Sequence, residues 1–121
     1  MTLVDTSVWI GHFRRPQPDL VRLLADGMAG IHPFVIGELA CGNLKDRDMT
    51  LRLLRALPQA PVANEAEIYY LLDTHQLWGT GLGWVDLHLL ASAAVAGWRL
   101  MTADDAMNRA VAKAGIGHRG A

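Results

Sequence analysis

Apolar positions along this chain follow two rhythms. Short uncharged runs read as buried strands, and apolar residues three and four apart read as inward helix faces. The run at Leu3 and Val4 predicts a strand over 2–5. Thr6 and Ser7 suit a strand-to-helix turn, and a short helix carries Val8, Trp9 and Ile10 to about Arg14. Pro16 and Pro18 break the pattern. Asp19 is placed to cap a helix running to about Asp26, with Leu20, Val21, Leu23 and Leu24 inward. Gly27 and Gly30 precede a short strand near Ile31. Pro33 suits the first turn of a helix through "PFVIGELACG", which ends at Gly42 or Asn43. A helix from about Arg47 to Leu57 is stopped by Pro58, and Val62 marks another short strand. Asn64 and Glu67 form a capping-box pattern that opens a helix bearing Ile68, Leu71, Leu72 and His75.

"WGTGLGW" is a glycine-rich turn whose spacing lacks the dinucleotide fingerprint. "VDLHLLASAAVAG" is almost wholly apolar, which predicts a helix buried on most sides with Gly97 as its stop. "WRLMT" is the last strand. "ADDAMNRAVAKAG" is a helix that opens at Asp104 or Asp105 and stops at Gly115; the tail after Ile116 is too short to assign. Short strands alternating with helices imply parallel strands and right-handed crossovers, hence a three-layer α/β/α domain with a short central parallel sheet. Sites in such sheets lie outside the carboxyl ends of the strands, where the strand order reverses.

Composition narrows the class. The 121 residues suit one domain spanning 1–121, and 51% apolar against 19% charged residues is a globular balance. A single cysteine, Cys41, rules out an internal disulfide and a cysteine-rich zinc site; it reads as a small buried hydrophobe in a reducing cytoplasm. No leader pattern and no apolar run near the ~20 residues of a membrane span is present. The expectation is a cytoplasmic protein with no membrane partner. A net charge of −1 gives no general pull on nucleic acid. Basic residues concentrate locally at Lys45, Arg47, Arg52 and Arg55, which is either a solvated helix face or a phosphate contact.

The acids change the picture most. Asp5 ends the first strand, and Asp104, with Asp105 beside it, lies just past the last one. Glu38 and Asp86 sit in strongly apolar helices. Each alone has a plain explanation as a cap, a dipole partner or an ion-pair member. Four unrelated compensations at four apolar positions are a heavier assumption than one shared cation. Converging carboxylates repel one another unless a cation sits among them, and hard oxygen ligands select Mg²⁺ or Mn²⁺. Such a site suits metal-assisted hydrolysis of a phosphodiester. His12, His32, His75, His88 and His118 are scattered without metal-ligand spacing, and Ser7 lacks a nucleophile elbow.

Four segments, "LVDTSVWIGHF", "VIGELACG", "GWVDLHLLASA" and "LMTADDAM", resemble in order the four acidic motifs of PIN domains, and most closely those of VapC-type toxins. The resemblance implies a metal-dependent endoribonuclease that cuts tRNA or ribosomal RNA and inhibits translation. It places the four catalytic acids at Asp5, Glu38, Asp86 and Asp104, with Mg²⁺ or Mn²⁺ held by Asp5, Asp86 and Asp104. Ser7 and Thr102 match auxiliary hydroxyl positions. The family usually has a basic residue where Asp105 stands, so the roles of Asp104 and Asp105 remain to be divided. A cognate VapB-type antitoxin, laid over the protein as a helix and an extended arm, and a homodimer are the implied partners. Arg14 and Arg15, or Lys45 and Arg47, are the candidate RNA contacts. The rival reading is a PIN-like module that binds a protein and does not cleave. A receiver domain fits poorly, because its acid pair follows the first strand and its phosphoacceptor comes later.

Overall fold

The opening apolar run forms β1 (Thr2–Val4), buried along its whole length. The structure, a computed structural model, describes residues 1–117. After β1 come α1 (Thr6–Arg14), α2 (Pro18–Ala25), β2 (Ala29–Gly30), α3 (Pro33–Ala40) and α4 (Arg47–Arg55). They are followed by α5 (Glu65–Thr74), α6 (Trp84–Ala96), β3 (Arg99–Met101) and α7 (Asp105–Lys113). The strands form one parallel sheet in the order β2-β1-β3, with Leu3 opposite both Gly30 and Leu100. The chain leaves β1 toward β2 and crosses back past β1 to reach β3. Strand order therefore reverses at β1. Right-handed crossovers running in opposite directions put their helices on opposite faces, which gives the expected three layers.

The core follows from the apolar pattern. Leu3, Val4 and Leu100 of the sheet pack with Leu20, Val35, Ile68, Leu89, Leu90, Met107 and Val111 of the helices, all fully buried. α6 is buried from Leu87 through Ala93 without a break, which explains why its sequence shows so little amphipathic contrast. Gly97 ends it in the left-handed region at φ 69°, as the sequence implies. Asn64 and Glu67 form the reciprocal capping box at 2.8 and 2.9 Å.

Five expectations need correction. Gln17, not Asp19, is the N-cap of α2, because Pro18 takes the first helical position. Val21 on that helix is exposed, and Leu20 and Leu23 carry its buried face. No strand forms at Val62, which is exposed; the extra pairing is an isolated parallel bridge between Ile31 and Gln59. Cys41 is exposed, because α3 stops at Ala40 and Leu39 is its last buried residue. α4 likewise ends at Arg55, two residues before the expected Leu57. His118 lies outside the described residues. Among the described residues no helix is long and apolar enough to cross a membrane.

Candidate active site

The carboxyl end of the central strand delivers Asp5 to the N-terminus of α1, where it is the N-cap and only 6% exposed. Its Oδ1 accepts the Thr6 amide at 2.8 Å. Its Oδ2 accepts the Ser7 hydroxyl at 2.9 Å and the Thr102 hydroxyl at 2.7 Å. Three hydrogen bonds and the positive end of a helix offset the cost of burying this charge. Ser7 and Thr102 also act as acceptors: the Ala103 amide donates to Ser7 Oγ and the Asp104 amide to Thr102 Oγ1, both at 3.1 Å. These bonds stitch the segment after β3 to the start of α1. The neighbouring strands β1 and β3 thus bring residues 97 positions apart into one hydrogen-bonded cluster.

The other acids arrive from three helices. Asp104 caps α7, its Oδ2 accepting the Met107 amide at 2.8 Å. Asp86 lies in the first turn of α6, its Oδ2 accepting the Gly83 amide at 2.9 Å. Partial burial pushes the Asp86 carboxyl above its ordinary pKa, the charges of Asp5 and Asp104 push the same way, and the Gly83 amide opposes them. Asp5, Asp86 and Asp104 therefore share one electrostatic crevice. Glu38, exposed on α3, joins the Asp5 corner by accepting the Thr6 hydroxyl at 2.7 Å on its Oε1. Asp105 is exposed at the first position of α7 and makes no hydrogen bond or ion pair among the described residues.

The carboxylates meet as charges but do not close on one point. Among the described residues no three His, Cys, Asp or Glu side chains are arranged to hold a metal ion together. The reason is visible in the bonds above. Bare anions repel, and Asp86 and Asp104 each turn one oxygen to a backbone amide. The donor set is nonetheless all hard oxygen, which fits Mg²⁺ or Mn²⁺; burial raises the Asp86 pKa most, and a cation would relieve the smaller push from Asp5 and Asp104.

Two of the four candidate RNA contacts line a groove beside the acids. Arg14 and Lys45 share a cleft of about 600 Å³ with Glu38, Ile10, Phe13 and Leu44. Arg15 is an exposed residue at the C-terminal cap of α1 and does not line that cleft. Arg47 lies outside it as well, and its guanidinium donates to the Ala40 carbonyl at 3.1 Å. A second, apolar groove of about 500 Å³ adjoins the cleft, lined by Trp9, Phe13, Leu24, Leu53, Leu54 and Leu57 of α1, α2 and α4 and the residues after them.

Three features carried no sequence signal. Thr6 is one. Another is His32, fully buried at the N-cap of α3, whose Nδ1 accepts the Phe34 amide at 2.9 Å. The third is a row of rings across α3, α6 and α5. Phe34 lies 4.6 Å from His88, Trp84 5.2 Å from His88, and Tyr69 5.4 Å from Trp84, centroid to centroid. Phe34, Tyr69 and Trp84 are exposed.

Comparison with known proteins identifies the family. The PIN domain profile matches residues 2–113. Ribonuclease VapC32 from two strains of Mycobacterium tuberculosis is 50% identical over 117 residues, covering 96% of this chain and 94% of its own. The solved structure of FitAB bound to an IR36 DNA fragment superposes with a TM-score of 0.67 at 18% identity, covering 98% of this chain and 93% of that one. At that identity the structural likeness bears on the fold alone. A family profile over nearly the whole chain and a relative sharing half of its residues lead to one conclusion: the chain belongs to the PIN-domain family and is of the VapC type.

Proposed function

We propose that this chain is the endoribonuclease toxin of a toxin–antitoxin pair. It hydrolyses phosphodiester bonds in tRNA or ribosomal RNA, depends on Mg²⁺ or Mn²⁺, and acts in the cytoplasm. One observation carries the reading: at the strand-order reversal the Ser7 and Thr102 hydroxyls hold the buried Asp5 carboxylate, and the Asp104 amide bonds to the same Thr102. The 50% identical relative is named a ribonuclease, and the same chemistry suits an all-carboxylate crevice.

Asp5, Asp86 and Asp104 are the residues that would hold the cation, with Glu38 completing the site directly or through water. The cation, when bound, supplies charge neutralisation at the phosphate and acidifies a water molecule. The chain's own residues do the rest. Ser7 and Thr102 hold the Asp5 carboxylate in one orientation. The Gly83 amide holds one oxygen of the Asp86 carboxylate at the first turn of α6. Arg14 and Lys45 steer the phosphates of the strand along the cleft that Glu38 shares, and Arg15 and Arg47 add positive charge outside it. Asp105 adds negative charge at the first position of α7.

The apolar groove over α1, α2 and α4 is where we place a helix of the VapB-type antitoxin. It runs into the cleft beside Glu38, so a partner bound there would also cover the path of the RNA. The exposed ring row on the α3, α5 and α6 side is the face we assign to a homodimer.

Asp5→Asn tests the activity. Asparagine keeps the N-cap acceptor and removes the charge. RNA cleavage should fall at least ~100-fold, about 2.7 kcal/mol of barrier, and calorimetric Mn²⁺ affinity should fall with it, while the melting temperature holds. Cleavage at the wild-type rate would sink the assignment. The non-cleaving module has one observation in its favour, the carboxylates that do not close on a point; a wild-type protein that binds no Mn²⁺ would support it.

A further inference from the structure

We propose that Thr6 is a positioning residue that fixes the spacing between Asp5 and Glu38 and so sets the divalent-cation affinity of the crevice. The inference rests on the metal-dependent reading above.

Thr6 is the first residue of α1. Its backbone amide donates to Asp5 Oδ1 at 2.8 Å, and its hydroxyl donates to Glu38 Oε1 at 2.7 Å. One residue thus grips two carboxylates, one adjacent in sequence and one 32 positions on. The two grips are rigidly related. The amide direction is set by the start of α1, and a β-branched side chain in a helix has few χ1 choices. The hydroxyl carries a single proton, and it is committed to Glu38.

Glu38 needs this grip more than the other acids do. Asp5, Asp86 and Asp104 are each held by a backbone amide. Glu38 is exposed on α3, and among the described residues the Thr6 hydroxyl is its only hydrogen-bond or ion-pair partner. A free glutamate side chain samples many rotamers, and that freedom must be lost when a cation is bound. Thr6 removes it beforehand and leaves Oε2 without a hydrogen-bond partner among the described residues. Ser7 and Thr102, by contrast, grip Asp5 and leave Glu38 untouched.

The rival role is purely structural, a peg between α1 and α3, which pack against each other. Substitution separates the two. Thr6→Val keeps the shape and removes the hydroxyl; Thr6→Ser keeps the hydroxyl. Mn²⁺ binding is read by calorimetry on the free protein, with no RNA present. Outer hydrogen-bond partners of metal ligands are worth about 10–100-fold in affinity. Thr6→Val should therefore weaken Mn²⁺ binding about tenfold, Thr6→Ser should restore it to near wild type, and saturating Mn²⁺ should recover most of kcat. In a Glu38→Gln background Thr6→Val should cost little more, because the group it positions has lost its charge. Thr6→Ala serves in the same role if Thr6→Val folds poorly. Three results each overturn the proposal: wild-type Mn²⁺ affinity in Thr6→Val, no rescue by serine, or an equal loss in the Glu38→Gln background. A wild-type protein that binds no Mn²⁺ overturns the metal-dependent reading itself, and this inference with it.

Discussion

His32 fills the N-cap of α3 with a fully buried ring, and its position dictates its charge. The Phe34 amide occupies Nδ1, so the ring is neutral with its proton on Nε2. Burial lowers its pKa from 6.5 to about 4, and nearby His88, itself lowered by burial, acts in the same direction. The sign follows directly. Between pH 6.5 and about 4 the unfolded chain binds a proton that the native state refuses, so stability falls as pH drops through that window. One group limits the slope to about 1.4 kcal/mol per pH unit. His32→Asn keeps an acceptor for the Phe34 amide and removes the titration. Urea midpoints at pH 7 and pH 5 should move further apart for wild type than for the variant. Equal shifts would show that His32 is not the group responsible. Nothing in the sequence announced this role, because a histidine cap is rare and its burial depends on α6 packing over it. Asp5 and Asp104 were legible, since strand ends and helix starts are marked by local pattern. The Thr6–Glu38 bond was not, because it joins positions that only the tertiary fold brings together.

Helices were more legible than strands. α5 opened at its capping box, α6 stopped at Gly97, and α7 opened at its aspartate cap and stopped before Gly115, since those signals act within one turn. β2 is two residues long and has no period to read. What defines it is a close approach: the Trp98 ring packs onto Gly30 so tightly that a Cβ there would collide with it. Gly30 has no positive φ, so its requirement is for space alone. Gly30→Ala should therefore destabilise the fold by about 1–3 kcal/mol, the usual cost of overpacking. Pairing it with Trp98→Leu should relieve much of that cost, a coupling that thermal or urea unfolding would register. Strictly additive effects would mean that the ring yields and the contact constrains nothing. The expected strand at Val62 failed for a related reason. The sheet edge is completed by a single bridge at Gln59, and the flanking Pro58 and Pro61 leave no room for a longer ladder.

At the scale of the whole molecule, two exposed apolar features span several elements. The groove of α1, α2 and α4 runs into the cleft beside Glu38, so a partner seated in it would reach the Glu38 side of the site. The ring row of Phe34, Trp84 and Tyr69 spans three helices that lie apart in sequence, and no local period could have revealed it as exposed. Aromatics are strongly enriched where protein interfaces are energetically concentrated. A twofold pairing would set each row against its copy, because a twofold interface uses the same patch on both subunits. Tyr69 tests this without touching the acids, since it lies on α5. A central aromatic anchor is worth about 2 kcal/mol or more, so Tyr69→Glu should weaken self-association at least about 30-fold. Sedimentation across a concentration series would read that shift, and Mn²⁺ affinity should stay unchanged in the same sample. A wild-type protein that sediments as a monomer at high concentration, or a variant that dimerises equally well, would remove the ring row from the dimer and leave it open to another partner.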